Sequence, residues 1–518
     1  MRPTPRPRHA LTRALVAVGL LASGCLPDSP RLEAIPDPGA CDVVITQANA
    51  ATTLGQLNDA SRRVFCVDPG DYRSAGKLLL TASGTSSSRR FLRFHAPLGA
   101  HQKAIHRTQR AIFESIQLVQ ASWWVIQGIV VEPQDPATVF LMKVDGGDHN
   151  VLDGNLIDAS QQWNETRHVG VAIASWQSDP ATYNSVQANV VRGGNRSRLG
   201  LDYTGIAVSS SVYAGANNDF NKILDNEIYD WGDGIQLSGD TTCSNAGRPR
   251  GTWIEGNDIY ITAAKRADCL TGLPDPGGEC SCSEDGIDLK VDPGSEARFW
   301  TRITNNRLWG FRPTAQVSCG GSGSNGQAIT AGNTCPGHVF VGNNVIMDVT
   351  TGVLVHGSQW ILAGNLFHDV RNAGEVGGSA IHPSPLATGL EIQFNTVVGV
   401  DDAYDDASKK TDTRCNAVIG NFGLLGPGNP RGSEHLTRYN FLYDSPMSNF
   451  VGTTNQTFVS AEESQGQDYC FWRKRWTQLQ FLCIPLGHTT PDSPHHAAAP
   501  LCESNLGSRF GLGPITFP

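Results

Sequence analysis

Eight short segments of the chain share one pattern: an apolar residue, two variable residues, asparagine, one variable residue and a second apolar residue. The asparagines are Asn155, Asn189, Asn226, Asn257, Asn306, Asn344, Asn365 and Asn395. Three residues before them stand Leu152, Val186, Ile223, Ile254, Ile303, Val341, Leu362 and Ile392; two residues after stand Ile157, Val191, Ile228, Ile259, Leu308, Ile346, Phe367 and Val397. Successive copies lie 21 to 49 residues apart. That range suits a solenoid with loop insertions, in which each coil touches only its neighbours. No long 3.6-residue periodicity argues for helical repeats. Asparagine flanked by inward apolar residues fits stacked parallel strands, where its side chain hydrogen-bonds along the axis as a ladder. The expected fold is therefore all-β, a single-stranded right-handed parallel β-helix with an asparagine ladder, over residues 41–425. Residues 426–518 are expected to form an irregular C-terminal cap, since an open solenoid end exposes unpaired strand edges. They carry prolines, three cysteines and the cluster Phe471-Trp472-Arg473-Lys474-Arg475-Trp476, read as solvated surface.

The chain of 518 residues has 56 glycines and a net charge of −9. With no basic stripe beyond the N-terminus, composition argues against a nucleic-acid partner. Arg2, Arg6, Arg8 and Arg13 precede a short apolar run over 15–22, too short for a membrane span, so residues 1–25 read as an export signal. Leu21-Ala22-Ser23-Gly24-Cys25 resembles a bacterial lipobox, which implies acylation of Cys25 and a lipid anchor as the sole contact with a membrane. An ordinary secretory signal is the other reading. The expected location is the outer membrane or cell surface as a lipoprotein, otherwise the medium, and the expected state is a monomer. Residues 26–40, rich in proline, read as a tether. Setting Cys25 aside, 12 of the 13 cysteines remain, which in an exported chain predicts disulfides, with Cys41–Cys66 an N-terminal pair. Cys243, Cys269, Cys280 and Cys282 cluster in one insertion, Cys319 and Cys335 bracket a glycine-rich loop, and Cys470, Cys483 and Cys502 lie near the C-terminus. The segments at 240–283 and 313–336 are expected to wall a groove.

A second motif follows the asparagine segments: glycine, then four residues of alternating character. Its copies begin at Gly170, Gly205, Gly234, Gly286, Gly326, Gly352 and Gly378. Strand side chains alternate between faces, so the first and third residues after glycine point inward and the second and fourth outward. Stacked on glycine, the coils build an outer column of Ser209, Ser238, Lys290, Thr330, His356 and His382, beside a column holding Gln236 and Asp288. Asp233 should stack on Asp285, with Glu284 and Asp288 close by. Four carboxylates so near repel unless they share protons or bind a cation, and hard oxygen donors favour Ca²⁺. Asp-Gly is also a common turn pair, and that reading stays open.

Resemblances to known families follow. Glu284-Asp285-Gly286-Ile287-Asp288 resembles the D-D-G-F-D calcium signature of family 9 polysaccharide lyases, β-helices that eliminate across uronic-acid linkages with a lysine base. The resemblance implies Glu284, Asp285 and Asp288 as calcium ligands, with Asp233 in the place of the remaining aspartate. That family's lysine falls on alanine in Asn325-Gly326-Gln327-Ala328-Ile329. Lys290 is the nearest replacement, similar to family 6 lyases, where lysine follows acidic ligands on one strand; their arginine on the next coil would fall near Thr330 or Ala331 and is missing. The order Pro69-Gly70-Asp71-Tyr72, Ser83-Gly84-Thr85 resembles the first coils of chondroitinase B-type proteins.

The implied reaction is Ca²⁺-assisted β-elimination on an acidic polysaccharide. Lys290 would be the base, and His356 or His382 would protonate the leaving oxygen or bind the acid group. An ion pair of Lys290 with Asp288 or Asp285 is the structural alternative. Gln236, Ser238, Thr330 and Arg312 are candidate substrate contacts; of Arg298, Arg302, Arg307 and Arg312, at least one is expected at the groove. Trp231, Trp300 and Trp309 are candidates for sugar stacking or for packing. A non-catalytic carbohydrate-binding or adhesive β-helix, and a hydrolase or epimerase using Asp233, Asp285 and Asp288, are the competing functions.

Overall fold

The structure, a computed structural model, describes residues 32–404 except 97–108, 161–167, 176–178, 194–203, 210–215, 240–246, 266–283, 313–325, 332–336, 373–377, 386 and 394. Beyond 404 it describes short strands up to Gln478–Ile484. The signal peptide with Cys25 and the first part of the tether lie outside the described residues, as do 240–246, 266–283, 313–325 and 332–336 of the expected groove walls. The rest of those two segments, 247–265 and 326–331, contains strands of the coils rather than wall. Of the cysteines, Cys41 and Cys66 are bonded, Cys470 stands opposite Cys483 in an antiparallel strand pair, and the others lie outside the described residues.

The chain is a parallel β-helix. Three long sheets run along it, of 14, 13 and 11 described strands, and each strand pairs in parallel with strands of the neighbouring coils. One coil visits the sheets in order. Val151–Asp153 lies in sheet 1, Leu156–Asp158 in sheet 2 and Val169–Ala174 in sheet 3. The interior is a set of aliphatic columns. Ile126, Leu152, Val186, Ile223, Ile254, Ile303, Val341, Leu362 and Ile392 form one of them, in register and buried. Burial of each such side chain contributes about 1.5–3 kcal/mol.

The asparagine pattern marks the corner between sheets 1 and 2. The residue before the asparagine takes a left-handed conformation, as at Gly154, Ala188, Asp225, Gly256, Asn305, Asn343 and Gly364. Each asparagine then makes three kinds of bond. Asn226 Nδ2 donates to Asn257 Oδ1 at 3.0 Å and to the Val186 carbonyl at 2.9 Å, while the Asn226 amide donates to the same Asn257 Oδ1 at 3.0 Å. The pattern repeats from Asn155 to Asn395. The apolar residue at −3 thus serves twice, its side chain in the core and its carbonyl in the ladder. A second ladder, Asn150–Asn184–Asn221, turns the corner into sheet 1. It escaped the sequence pattern because no apolar residue need stand three before it.

Two boundaries shift. Residues 32–40, expected to be tether, lie against the outer face of sheet 1. Ile35 packs on Val64, Cys66, Phe91, Val125 and Val151, and Gln187 Nε2 donates to the Glu33 carbonyl at 3.0 Å. Glu33 pairs with Arg89, and Cys41 is joined to Cys66. Outward-facing valines need a cover, and this segment supplies it. At the other end, coiling passes 425: Thr411–Arg414 pairs with Leu436–Arg438 in sheet 1, and Ala417–Ile419 pairs with Phe441–Tyr443 in sheet 2. The sequence there reads Thr413, Asn416, Val418 and Thr437, Asn440, Leu442. Threonine at −3 hid two further copies of the motif.

Candidate functional site

Sheet 3 positions the acidic residues. Its strands Thr204–Ser209, Asp233–Ser238, Asp285–Leu289, Gln327–Ala331, Thr351–Val355 and Ser379–Pro383 lie side by side in that order. Ile206, Ile235, Ile287, Ile329, Val353 and Ile381 form an inward column. Ala207, Gln236, Asp288, Thr330, Leu354 and His382 form the adjoining outward one.

Strict alternation would turn Asp233 and Asp285 inward with the isoleucines. The glycines prevent it. A Cβ on Gly234 would meet Ile259 Cγ2 at 2.4 Å and the Gly286 carbonyl oxygen at 2.5 Å, so this position faces the core and excludes any side chain. Gly286 is confined in the same way by Leu308 and the Ala328 carbonyl. With glycine and the following isoleucine both turned inward, the preceding aspartate comes round to the outer side. Asp233 and Asp285 are direct neighbours across the ladder.

One carboxylate oxygen from each of Asp233, Asp285 and Asp288 lies within 4.8 Å of the other two. The residues are 2%, 2% and 1% exposed. Their Oδ2 atoms are engaged where partners reach them: Gln236 Nε2 donates to Asp233 Oδ2 at 2.9 Å and to Asp288 Oδ2 at 3.3 Å, and Lys290 Nζ lies 2.9 Å from Asp288 Oδ2. The three Oδ1 atoms and the Thr330 hydroxyl are buried with no hydrogen-bond partner among the described residues. Burial first, and neighbouring carboxylates second, push Asp233 and Asp285 well above the ordinary 3.8. Burial also raises Asp288, against the pull of Lys290 and Gln236. Glu284, half-buried before the strand, stands outside the three-carboxylate cluster but adds to the repulsion on Asp233 and Asp285. For Lys290, burial lowers the pKa, yet Asp288, Asp233 and Glu284 outweigh it and hold the ammonium above 10.5.

Buried charge of one sign is costly unless compensated. Three unpartnered carboxylate oxygens and a hydroxyl are a hard-cation donor set. The three carboxylate oxygens lie within 4.8 Å of one another, close enough to share one ion such as Ca²⁺, whose oxygen ligands sit at about 2.3–2.6 Å. The residues present fit calcium.

The outer columns differ from the sequence expectation. Thr330 pairs with Asp288, not with Lys290, and His382 pairs with Leu354, not with His356. Gly326 and Gly378 are turn residues with positive φ, two positions ahead of the core-facing site, which Ala328 and Ala380 occupy in those coils. Aligning inward isoleucines rather than glycines gives the true register, and it also puts Gln327 beside Asp285. Ser238 stands beside Ser209, and Lys290 continues the ladder next to it. His356 follows the Thr351–Val355 strand; burial, and then His382, lower its pKa from 6.5.

The arginines go elsewhere. Arg312 forms ion pairs with Asp348 at 2.8 Å and Asp369 at 3.0 Å, beside sheet 2, so its charge is spent on the fold. Arg302 lies in sheet 1 over the Trp253 ring, Arg307 pairs with Asp258 in sheet 2, and Arg298 pairs with Glu296. Trp231 is core, with its Nε1 donating to the Val191 carbonyl; Trp309 stacks on Tyr260 in sheet 2, and Trp300 meets His338.

No protein-family profile matches the chain, and no curated protein sequence matches it. Solved structures do. A mannuronic acid specific polysaccharide family 6 lyase from human gut microbiota superposes with a TM-score of 0.50 at 10% identity, covering 80% of this chain and 90% of that one. An arginine-to-alanine mutant of the PL6 family alginate lyase AlyGC gives 0.52 at 13% identity, covering 88% of this chain and 57% of that one, so the present chain spans less than two thirds of AlyGC. At such identity the likeness is one of fold.

Proposed function

We propose that the chain is an exported β-helix lyase that cleaves a uronate-containing polysaccharide by calcium-assisted β-elimination. The observation that carries this reading is the cluster of Asp233, Asp285 and Asp288 beside Lys290, in which one carboxylate oxygen of each lies within 4.8 Å of the others and each residue keeps a buried Oδ1 without a partner among the described residues. Asp233, Asp285 and Asp288 hold the cation, and Thr330 Oγ1 adds a neutral donor. When bound, Ca²⁺ neutralises the substrate carboxylate and acidifies the proton at C5. Gln236 holds Asp233 and Asp288 through their Oδ2 atoms. Lys290 takes the C5 proton; the electrons form the C4–C5 double bond as the C4–O bond breaks, and the leaving oxygen takes its proton from water. With the cluster's charge compensated, the carboxylates no longer hold the Lys290 proton so tightly. The fold shared with family 6 lyases supports the lyase class. The Cys41–Cys66 bond supports an oxidising, exported setting, and acylation of Cys25 would anchor the chain as a monomer at the cell surface.

Acidic polysaccharides incubated with the protein should gain the ultraviolet absorbance of unsaturated uronate ends, and a chelator should abolish the gain. Lys290→Ala should lower the rate by about 10²–10⁴-fold with metal binding retained. A second reading rests on the raised pKa values of Asp233 and Asp285, which suit a general acid. New reducing ends without absorbance, insensitive to chelator, would establish a glycoside hydrolase instead.

A further inference from the structure

The acidic cluster and Lys290 account for one sugar position on sheet 3. Resting on that reading, we infer a second anionic-sugar subsite on the same face, centred on His356 with His382 beside it. It binds the carboxylate of the uronate two units along the glycan from the one at Lys290.

The spacing comes from the ladder. Lys290 follows the Asp285–Leu289 strand and His356 the Thr351–Val355 strand, and Gln327–Ala331 alone lies between them. Two strand steps are about 9.5 Å. Lys290 leans on Asp288 rather than toward the histidines. An acid and a base acting on one glycosidic bond must both reach it within hydrogen-bond distance. His356 is therefore badly placed to protonate the leaving oxygen and well placed for a neighbouring sugar. In a flat 1,4-linked ribbon, successive sugars turn over, so carboxylates on one side recur at every second unit. One sugar advances the chain by close to one strand spacing. Same-side carboxylates thus fall two strands apart, as Lys290 and His356 do.

The chemistry at the second position is that of a carboxylate receptor without its carboxylate. His95, His149 and His338 each sit against an aspartate, at 2.6, 3.3 and 2.9 Å. Among the described residues His356 joins no ion pair, and its buried Nδ1 has no hydrogen-bond partner. Imidazole donates an N–H to a carboxylate and accepts in its other tautomer. Leu354, outward on the same strand that His356 follows, gives the sugar bound there an apolar floor.

The test uses the full chain, with Lys290→Met to stop turnover, and calorimetric binding of 1,4-linked uronate oligomers of two to six sugars in Ca²⁺. Affinity should rise once the oligomer reaches three sugars, and His356→Ala should remove that rise. Longer oligomers would then lose about tenfold, or about 1.4 kcal/mol, while the dimer is unchanged. His356→Gln should retain part of the gain, and carboxyl-reduced oligomers should show none. The length dependence of KM in the wild type, with and without His356→Ala, gives the same readout in active protein. An unchanged length series in His356→Ala, or an equal loss for dimer and hexamer, overturns the subsite. Terbium luminescence without sugar tests the metal site separately: a wild type that binds the ion and the dimer but shows no length gain rejects the subsite alone. A wild type that binds no ion rejects the calcium reading beneath it.

Discussion

Two stacks of polar side chains run through neighbouring coils, and they differ in satisfaction. In the asparagine ladder every donor and acceptor has a partner: Asn257 Oδ1 takes two N–H groups from Asn226, and its Nδ2 gives to Asn306 and to the Ile223 carbonyl. In the aspartate stack, buried just as deeply, one oxygen on each of three carboxylates has none. Both start from the same device, one residue type repeated in register: asparagine at the corner, and Asp233 against Asp285, with Asp288 joining them from the strand of Asp285. A self-complementary amide closes on itself, whereas a carboxylate accepts only and repels its copy. The saturated stack is structure; the unsaturated one is where something from outside must bind.

The comparison can be broken most forcefully at the ladder. Asn257→Ala strips partners from Asn226, Asn306 and Ile223 together and should cost about 3–5 kcal/mol in urea unfolding. A loss under 1 kcal/mol would mean the ladder is dispensable. The aspartate stack should respond in the opposite sense. In chelator near neutral pH, Asp285→Asn removes a buried like charge and should stabilise the chain by about 1–3 kcal/mol. Ca²⁺ at a hundred times its Kd should stabilise the wild type by about 2.7 kcal/mol and Asp285→Asn hardly at all. Destabilisation by Asp285→Asn in chelator would make the cluster a structural network like the ladder.

A smaller, sharper effect is the pH dependence. Carboxyls raised above 3.8 bind more protons folded than unfolded. Their contribution is therefore full at low pH and is lost as pH climbs above 3.8 toward the folded values. Buried His168, lowered from 6.5, acts the other way, its contribution lost as pH falls below 6.5. Subtracting the Asp285→Asn profile from the wild type in chelator isolates the cluster, and the difference should grow as pH rises; Ca²⁺, which stabilises the wild type alone, should offset or reverse it. A flat difference would show that the carboxylates are not coupled.

Much of this was legible in one dimension. The eight asparagines fixed the coil count between 152 and 397, and Asp233 over Asp285 followed from aligning Gly234 with Gly286. The same rule failed one coil later, because Gly326 serves a turn and Ala328 takes the inward position. Strand register follows what packs inside, and Ile329 against Ile287 is a stronger marker than a glycine used for two purposes. Threonine at 413 and 437 hid the last coils for a related reason: the ladder needs a carbonyl at −3, which any residue supplies.

The sequence by itself determined the solenoid, its asparagine corner and the proximity of three aspartates, because these are periodic and each coil meets only the next. Only the tertiary structure decided which carboxylate oxygens lack partners, that Thr330 stands beside Asp288, and that Arg302, Arg307 and Arg312 serve sheets 1 and 2. Those facts depend on where side chains end, and that is set by contacts between coils dozens of residues apart.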